Sequence, residues 1–221
     1  MLIRLFDIVF SSFFLIVLSP ILLPVMAILK CTGEGEILYL QERIGKNGKP
    51  FNVIKFATML KNSPSLGAGD ITLQNDPRVL PFGSFLRKSK INEIPQLLNI
   101  LKGDMSFVGP RPQTPKNFIY FPEKDRNIIL KIRPGLTGIG SIVFRDEESI
   151  IARSKKNTTE LFTEDIGPYK AELEKWFYYN FSIILYFKVI FVTFFVLFFP
   201  NGKLYNFFFR DLPKKPRDLN L

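Results

Sequence analysis

The chain has 221 residues, with 30 Lys and Arg against 20 Asp and Glu, which gives a formal net charge of +10. This length allows one domain with short appendages, and the basic balance favours an anionic partner such as a phospholipid, a nucleotide or a nucleic acid. The chain contains no His and a single Cys, which excludes imidazole catalysis, a zinc cluster and an internal disulfide. Acid–base or metal chemistry must therefore rest on Asp, Glu, Lys or Tyr.

The N-terminal segment, residues 5–29, is apolar apart from Asp7 and is long enough to cross a bilayer. Pro20 lacks an N–H and its ring crowds the preceding helical turn, and Pro24 repeats the fault one turn later. The Ser19 hydroxyl can donate to a carbonyl freed in this way. Two paths are open from the residues alone: a kinked span, or a helix that breaks at Ser19 and Pro20 and returns to the face it entered.

Short elements are predicted in the middle of the chain. Two strands, at 36–39 and 51–56, flank the Gly-Lys-Asn-Gly-Lys-Pro turn at 45–50 and predict a hairpin. Residues 61–77 are polar and rich in Gly and Pro, which predicts a loop. The periodicity and the capping residues predict three helices, at 82–88, at 94–101 with Gly103 as its C-cap, and at 123–130.

The C-terminal third is helical by pattern. An amphipathic helix is predicted at 147–156, and another is predicted to start at residue 169 and to continue into the apolar run 183–199, which carries Lys188. This run is at the short end for a membrane span, so it either crosses the bilayer or lies in the interface with Lys188 reaching the headgroups. The aromatic and basic tail after residue 200 predicts an anchor at headgroup level.

Four segments stand out as a set: the Ser19-Pro20 pair, QERIGKNGKPFNVIKFATM at 41–59, NDPRVLPFGSFLRKSKINEIPQLLNILKGDMSFVGPRP at 75–112, and IRPGLTG at 132–138. Together they resemble the bacterial sugar transferase family, the monotopic phosphoglycosyl transferases, over nearly the whole chain. The resemblance implies an α/β, mainly helical fold. We accordingly expect a re-entrant N-terminal membrane helix (1–30), a small cytoplasmic catalytic domain with a short β-hairpin and interfacial amphipathic helices (31–180), and a C-terminal membrane-associated helix with a basic tail (181–221).

The reaction implied by this resemblance moves a sugar 1-phosphate from a UDP-sugar to polyprenyl (undecaprenyl) phosphate. Its products are polyprenyl-diphosphate sugar and UMP, and its cofactor is Mg²⁺. It is the first membrane step of surface glycan assembly, as for capsule, lipopolysaccharide or exopolysaccharide, on the cytosolic face of the bacterial inner membrane. The implied partners are the UDP-sugar, the lipid acceptor, membrane lipids, and a second copy of the chain or downstream glycosyltransferases. No nucleic acid is expected, because the positive charge is scattered and the apolar ends favour a bilayer.

One position departs from the family pattern. The family carries an Asp-Glu pair before the KGDMSFVGPRP block, in which the Asp is the nucleophile and the Glu helps to hold the metal, whereas this chain has Asn92-Glu93. A carboxamide is a far poorer nucleophile than a carboxylate, although Asn is a good N-cap and Pro95 fits a first helical turn. Three explanations are open. Glu93 or Asp104 acts as nucleophile or base; or the lipid phosphate attacks the donor directly, with Glu93 and Mg²⁺ stabilising charge; or the chain is a weak or inactive relative that serves as a membrane-anchored scaffold.

The resemblance also assigns site residues. The catalytic set is Glu93, which is also the metal ligand, Asn92 at the nucleophile position, and Asp104, which either binds the metal or caps the next turn. The basic residues are predicted to contact substrate or lipid. They are Lys55 and Arg78 near the donor diphosphate, Arg87 and Lys88 at lipid headgroups, and Arg111 and Arg133 in proline-containing turns that suit bidentate phosphate binding.

Overall fold

The protein is described here by a computed structural model that covers residues 1–66, 72, 75–199, 204–216 and 219. Parts of the predicted loop at 61–77 and of the tail after residue 200 lie outside these residues. The fold is mainly helical α/β with two small sheets, which confirms the predicted class. The elements in chain order are α1 Leu2–Cys31, β1 Leu38–Ile44, β2 Pro50–Phe56, α2 Pro81–Lys88, α3 Gln96–Lys102, β3 Ser106–Val108, α4 Pro115–Phe118, α5 Glu123–Ile129, β4 Gly135–Thr137, α6 Ile139–Val143, α7 Glu147–Arg153, α8 Thr158–Leu161, α9 Gly167–Tyr179, α10 Ile183–Phe198 and α11 Leu204–Phe208.

The described residues form two compact units. The first unit contains residues 1–43 and 51–105, and the second contains residues 44–50 and 106–221. The first unit therefore holds α1, the strands of the hairpin, α2 and α3, whereas the second holds the parallel strand pair and the helices from α4 onward.

Helix α1 is continuous through Pro20 and Pro24, so the predicted break at Ser19 and Pro20 does not appear in the secondary structure of residues 2–31. The Ser19 hydroxyl donates to the Ile16 carbonyl at 2.7 Å. This is the carbonyl that Pro20, which has no N–H, leaves without its helical donor. Within the described residues, α1 is the one helix long and apolar enough to cross a membrane.

Both ends of α1 contact the rest of the first unit. Near the N-terminus, the Arg4 guanidinium donates to the carbonyls of Ile100 and Leu101, the second at 2.7 Å, at the C-terminal end of α3. Near the C-terminus, α1 contributes to a buried core cluster made of Val25, Leu29, Phe56 and Leu86. The intervening residues 12–24 are exposed or half-buried, so the protein itself does not bury the apolar middle of the helix.

The hairpin and the two helices that follow it agree with the sequence patterns. Strands β1 and β2 pair, and Asn47 in the connecting turn has a φ of 59°, which Asn tolerates better than most residues. The first strand begins later than predicted, at Leu38, while α2 and β2 lie where they were expected. Helix α3 ends at Lys102. Gly103 follows it with a φ of 97°, which confirms the predicted left-handed C-cap.

The second unit is built around a parallel strand pair that no sequence pattern indicated. Ser106 of β3 aligns with Gly135 of β4, and Val108 aligns with Thr137. The backbones on this pair approach closely, since a Cβ at Gly109 would lie 2.3 Å from the Arg133 carbonyl oxygen. Glycine is therefore required at this position, and the turns that carry Arg111 and Arg133 are in backbone contact.

The long C-terminal helix predicted from residue 169 through the apolar run is in fact two helices. Helix α9 ends at Tyr179, and the Ser182 side chain accepts a hydrogen bond from the Leu185 N–H at 3.0 Å as the N-cap of α10. This cap starts the second helix, three residues after the last residue of the first.

Helix α10 has two apolar faces with different surroundings. One face is buried within the second unit and includes Leu185, Tyr186, Val189, Val192 and Val196. The Tyr186 hydroxyl lies 3.2 Å from the Ser106 hydroxyl of β3. The other face is exposed and includes Ile183, Ile184, Phe187, Phe191, Phe194 and Leu197.

Candidate functional site

The first unit brings Glu93 and Lys55 together. Glu93 closes a short 3₁₀ turn, Ile91–Glu93, that precedes α3, and Lys55 lies on β2. The Glu93 Oε1 atom is 3.8 Å from the Lys55 Nζ atom, and the two side chains are 16% and 18% exposed. A partly buried carboxylate next to an ammonium group can bind a cation and an anion side by side.

Asn99 holds this arrangement in place, and sequence reasoning missed it. Its side chain is 1% exposed. The Oδ1 atom accepts the Ile54 N–H at 2.9 Å, and the Nδ2 group donates to the Asn52 carbonyl at 2.7 Å. Asn99 therefore ties the backbone next to Lys55 to α3. A polar residue inside the apolar run LLNIL was the available signal, because a buried amide must find partners.

Asn92 is buried at 6% exposure and does not cap α3. The helix begins after Pro95 without a side-chain cap, so the predicted N-cap role of Asn92 is wrong. Within the described part of the chain, the Asn92 Oδ1 atom has no hydrogen-bond partner. An unsatisfied buried acceptor costs free energy, which marks this position for a role other than structure.

Asp104 is half-buried immediately after the Gly103 cap. Its Oδ2 atom accepts from the Asn99 Nδ2 group at 3.4 Å. Through Asn99, the structure thus links Asp104 to the same strand that carries Lys55.

Arg78 bonds to the chain around it. Its Nε and Nη2 groups donate to the two oxygens of Asp76 at 2.9 and 2.6 Å. Its Nη1 group donates to the carbonyls of Ser63 and Leu66, each at 2.8 Å. The side chains of Arg78 and Asp76 are 6% and 3% exposed, so this bidentate pair is buried.

Arg87 and Lys88 lie in the last turn of α2. Arg87 is half-buried, with its Nη1 group 3.8 Å from the Met59 sulfur, whereas Lys88 is exposed. Two cations at a helix C-terminus also complement the helix dipole.

In the second unit, Arg111 and Arg133 belong to the two turns around the parallel strand pair. Pro110 and Pro112 flank Arg111, and the Pro110 carbonyl accepts the Gly135 N–H at 2.9 Å. Both arginine side chains are half-buried. Within the described residues, the Arg133 guanidinium makes no hydrogen bond or ion pair, so its donors are available to an anion.

A second residue missed by sequence reasoning is Glu174 on α9. It is 4% exposed, and it accepts hydrogen bonds from the backbone N–H groups of Gly140 and Arg111. Burial raises the pKa of Glu174 to about 8, against the attraction of Lys170 and these two hydrogen bonds, which lower it. No local pattern marks Glu174, because it lies among other charged residues in the helix.

We expect Glu174 to make the folded state less stable as the pH rises from 4.5 to 8. The folded pKa of about 8 exceeds the ordinary value of 4.5, so the folded chain keeps a proton that the unfolded chain has lost. The stability linked to this proton is complete below pH 4.5 and is lost as the pH rises through 8. We therefore expect the melting temperature of Glu174→Gln in detergent, minus that of the wild type, to rise with pH up to pH 8 and to stay constant above it. A difference independent of pH would contradict this assignment.

The described residues contain no group of three Asp, Glu or Cys side chains that could hold a metal ion by themselves. Mg²⁺ commonly binds one or two protein carboxylates and takes its other ligands from substrate phosphates and water. Glu93 could supply the carboxylate ligand of such an ion. Among the described residues, the Oδ1 atom of the adjacent Asn92 has no hydrogen-bond partner, and Mg²⁺ also accepts oxygen ligands of this type.

Comparison with known proteins gives one consistent family. The chain is 40% identical over 164 residues to the exopolysaccharide production protein ExoY of Sinorhizobium fredii, which covers 68% of this chain and 72% of ExoY. It is 34% identical over 197 residues to the UDP-glucose:undecaprenyl-phosphate glucose-1-phosphate transferase of Klebsiella pneumoniae, which covers 87% of this chain and 39% of that protein. It is 36% identical over 159 residues to the undecaprenyl-phosphate galactose phosphotransferase of Salmonella typhimurium, which covers 65% of this chain and 33% of that protein.

The two named transferases are longer than this chain, and the shared part includes the segments that carry Glu93 and Arg111. The profile of the bacterial sugar transferase family matches residues 1–200, which include every site residue described above. The chain therefore belongs to the bacterial sugar transferase family of phosphoglycosyl transferases.

Proposed function

We propose that this protein transfers a sugar 1-phosphate from a UDP-sugar to undecaprenyl phosphate, releasing UMP, on the cytosolic face of the bacterial inner membrane. The observation that carries the proposal is the pair of Glu93 and Lys55, 3.8 Å apart and each partly exposed. The pair offers a carboxylate for Mg²⁺ and an ammonium group for phosphate at the same place. The relative from Klebsiella pneumoniae is named as a transferase that uses UDP-glucose and undecaprenyl phosphate, which supports both substrate classes.

The proposed step joins two phosphates. An oxygen of the lipid phosphate forms a bond to the β-phosphorus of the donor. The bond from that phosphorus to the bridging oxygen breaks, and UMP leaves with the electron pair. Mg²⁺, when bound, neutralises the charge of the transferring phosphoryl group. In the first unit, Lys55 attracts the donor diphosphate and Glu93 would hold the ion. In the second unit, Arg111 and Arg133 bind phosphate oxygens.

Asn92 favours direct attack by the lipid phosphate. The amide at the nucleophile position has no negative charge with which to attack phosphorus. Glu93 is committed to the metal, and Asp104 accepts a hydrogen bond from Asn99. An attack without a covalent enzyme intermediate needs only the acceptor itself.

The test is UMP release from a panel of UDP-sugars with undecaprenyl phosphate and Mg²⁺, run on the wild type and on Asn92→Asp. We expect measurable turnover by the wild type with one donor and no labelled phosphosugar retained on the protein. Asn92→Asp should gain the covalent intermediate, because it restores the carboxylate. Asn180→Asp makes the same chemical change at an exposed position and serves as the control.

A second candidate function is a membrane-anchored scaffold without turnover, and the Asn92 amide is the observation in its favour. Turnover by Asn92→Asp but not by the wild type would establish that the chain as it stands is inactive. A phosphosugar trapped on the wild type would instead contradict direct attack and indicate Glu93 or Asp104 as the nucleophile.

We further propose that α1 is re-entrant. Arg4 at one end and Leu29 at the other contact the same compact unit, and a straight helix of 30 residues would be about 45 Å long. If α1 crossed the bilayer, its two ends would lie on opposite sides of a hydrocarbon core of about 30 Å. Both sets of contacts can form at once if the exposed middle of α1 enters the lipid and its two ends stay on the same face of the membrane.

This topology predicts the labelling of two cysteines. Cys31 is exposed and is the only cysteine, and Leu2→Cys in a Cys31→Ser background reports the other end. In spheroplasts, neither reporter should react with a membrane-impermeant maleimide until the cells are permeabilised. Tyr179→Cys in the same background, exposed in the second unit, is the cytosolic reference. Labelling of Leu2→Cys before permeabilisation would establish a span.

The exposed face of α10 extends the proposed membrane contact. One face of this helix is buried in the second unit, whereas a spanning helix needs lipid or another helix around it, and its 16 residues are few for a span. We therefore place α10 in the interface, with Phe187, Phe191 and Phe194 towards the acyl chains.

A further inference from the structure

The Pro110-Arg111-Pro112 segment has one backbone donor, because proline has no N–H. The Arg111 N–H donates to the carboxyl group of Glu174. The Pro110 carbonyl accepts from the Gly135 N–H at 2.9 Å, and the Arg111 carbonyl accepts from the Gln113 side chain at 3.0 Å. The backbone around the arginine is thus held by three hydrogen bonds, and the side chain of Glu174 accepts the one from its N–H.

The carboxyl group of Glu174 lies where a side chain at position 140 would be, so this position requires glycine. A Cβ at position 140 would lie 2.4 Å from the Glu174 Oε1 atom, which is closer than real Cβ contacts allow. The Gly140 N–H also donates to Glu174. Glu174 therefore joins three pieces of the second unit: α9, the first turn of α6, and the segment that carries Arg111.

Fold stability alone does not explain an ionisable carboxyl group at this place. A buried ionisable group loses hydration, and an apolar side chain of similar size would cost less. Lys170 lies one turn before Glu174 on α9. Its Nζ atom is 2.7 Å from the Glu147 Oε1 atom and 5.0 Å from the centre of the Phe144 ring. The Glu174 Oε2 atom has no hydrogen-bond partner among the described residues. Buried carboxyl groups with raised pKa values cluster at functional sites.

We propose that Glu174 is a positioning residue for phosphate binding by Arg111. Its carboxyl group holds the arginine backbone between the two prolines, so that the guanidinium is oriented before substrate arrives and less entropy is lost on binding. The inference rests on the proposed function, in which Arg111 binds a phosphate of the donor or of the lipid acceptor.

The test compares Glu174→Leu, which removes the acceptor, with Glu174→Gln, which keeps a carbonyl oxygen for the Arg111 N–H. We expect Glu174→Leu to raise KM about tenfold or more for one substrate, and Glu174→Gln to stay within about threefold of the wild type at pH 7. A rise in KM for the UDP-sugar assigns Arg111 to the donor, and a rise for undecaprenyl phosphate assigns it to the acceptor. An equal effect of Leu and Gln would overturn the proposal.

A double-mutant cycle with Arg111→Ala tests whether Glu174 acts through Arg111. If it does, adding Glu174→Leu to Arg111→Ala should change KM by less than about a further twofold. A change in KM of the double variant equal to the product of the two single changes would overturn the proposal. Asp125→Asn is the control for lost stability, since Asp125 is a buried carboxylate paired with Lys175 at 2.9 Å. It should lower the melting temperature without changing either KM, and a KM change equal to that of Glu174→Leu would overturn the proposal.

Binding measurements separate this inference from the proposed reaction. The same cycle is read from the affinity for UDP and for vesicles that contain undecaprenyl phosphate, without turnover. Non-additive loss of either affinity supports the positioning role even if no UMP is released, in which case the proposed reaction alone fails. If Arg111→Ala leaves both affinities and both KM values unchanged while the wild type turns over, the reaction stands and the positioning role is overturned.

Discussion

Glu93→Gln is expected to lower UMP release by about 100-fold or more, in line with the loss of one electrostatic contact to a transition state. Glutamine keeps the shape of the side chain but removes the negative charge that we propose holds Mg²⁺ next to the transferring phosphoryl group. The loss should appear in kcat, because the charge it neutralises develops during transfer. Steady-state UMP release at saturating donor and acceptor measures it.

Glu36→Gln provides the matched control. Glu36 also lies in the first unit and pairs with a lysine, since its Oε1 atom is 2.8 Å from the Lys61 Nζ atom. This pair is largely exposed, so removing its charge should leave turnover unchanged. Turnover by Glu93→Gln within a factor of three of the wild type would remove Glu93 from the proposed site.

Arg78→Met is expected to destabilise the protein by about 3–5 kcal/mol, the usual result of removing one partner from a buried ion pair. Asp76, 3% exposed in its side chain, would keep a charge without its bidentate partner, and the carbonyls of Ser63 and Leu66 would lose their donor. For a chain of this size the melting temperature should fall by roughly 10 °C. Thermal unfolding in detergent measures the change.

Two further variants make this result specific. Asp76→Asn in the Arg78→Met background should recover part of the loss, because it removes the buried charge with which Arg78 pairs. Lys61→Met breaks an exposed pair and should leave the melting temperature unchanged. An unchanged melting temperature in Arg78→Met together with a raised KM for the UDP-sugar would instead support the donor contact predicted from sequence.

Local signals predicted the first unit well. The Gly-Lys-Asn-Gly-Lys-Pro turn predicted the hairpin, and the Gly103 cap predicted where α3 ends, because turns and caps are set by neighbouring residues. The Ser182 cap was equally local but was missed, since the apolar residues on both sides of it gave one continuous helical pattern. The N-cap role considered for Asn92 was wrong because Asn92 lies within a 3₁₀ turn, and Pro95 takes the position before α3.

Contacts between distant parts of the chain could not be predicted from the sequence. Strands β3 and β4 have three residues each, too few for a periodic pattern, and they pair across a long separation in the chain. The same holds for Asn99 and Glu174, whose partners lie far away in sequence. The family resemblance supplied Glu93 and Lys55 in the first unit and Arg111 in the second, whereas Asn99 and Glu174, which hold the neighbouring backbone in each unit, became visible only in the structure.

The contacts of α1 have a consequence for biosynthesis. This helix leaves the ribosome before the residues that complete its surroundings, Leu86 and the carbonyls of residues 100 and 101, have been made. Until then, the nascent helix can shelter its apolar surface only in lipid or against a chaperone. The helix that we propose enters the membrane is thus also part of the core, and its removal would leave Leu86 and Phe56 uncovered.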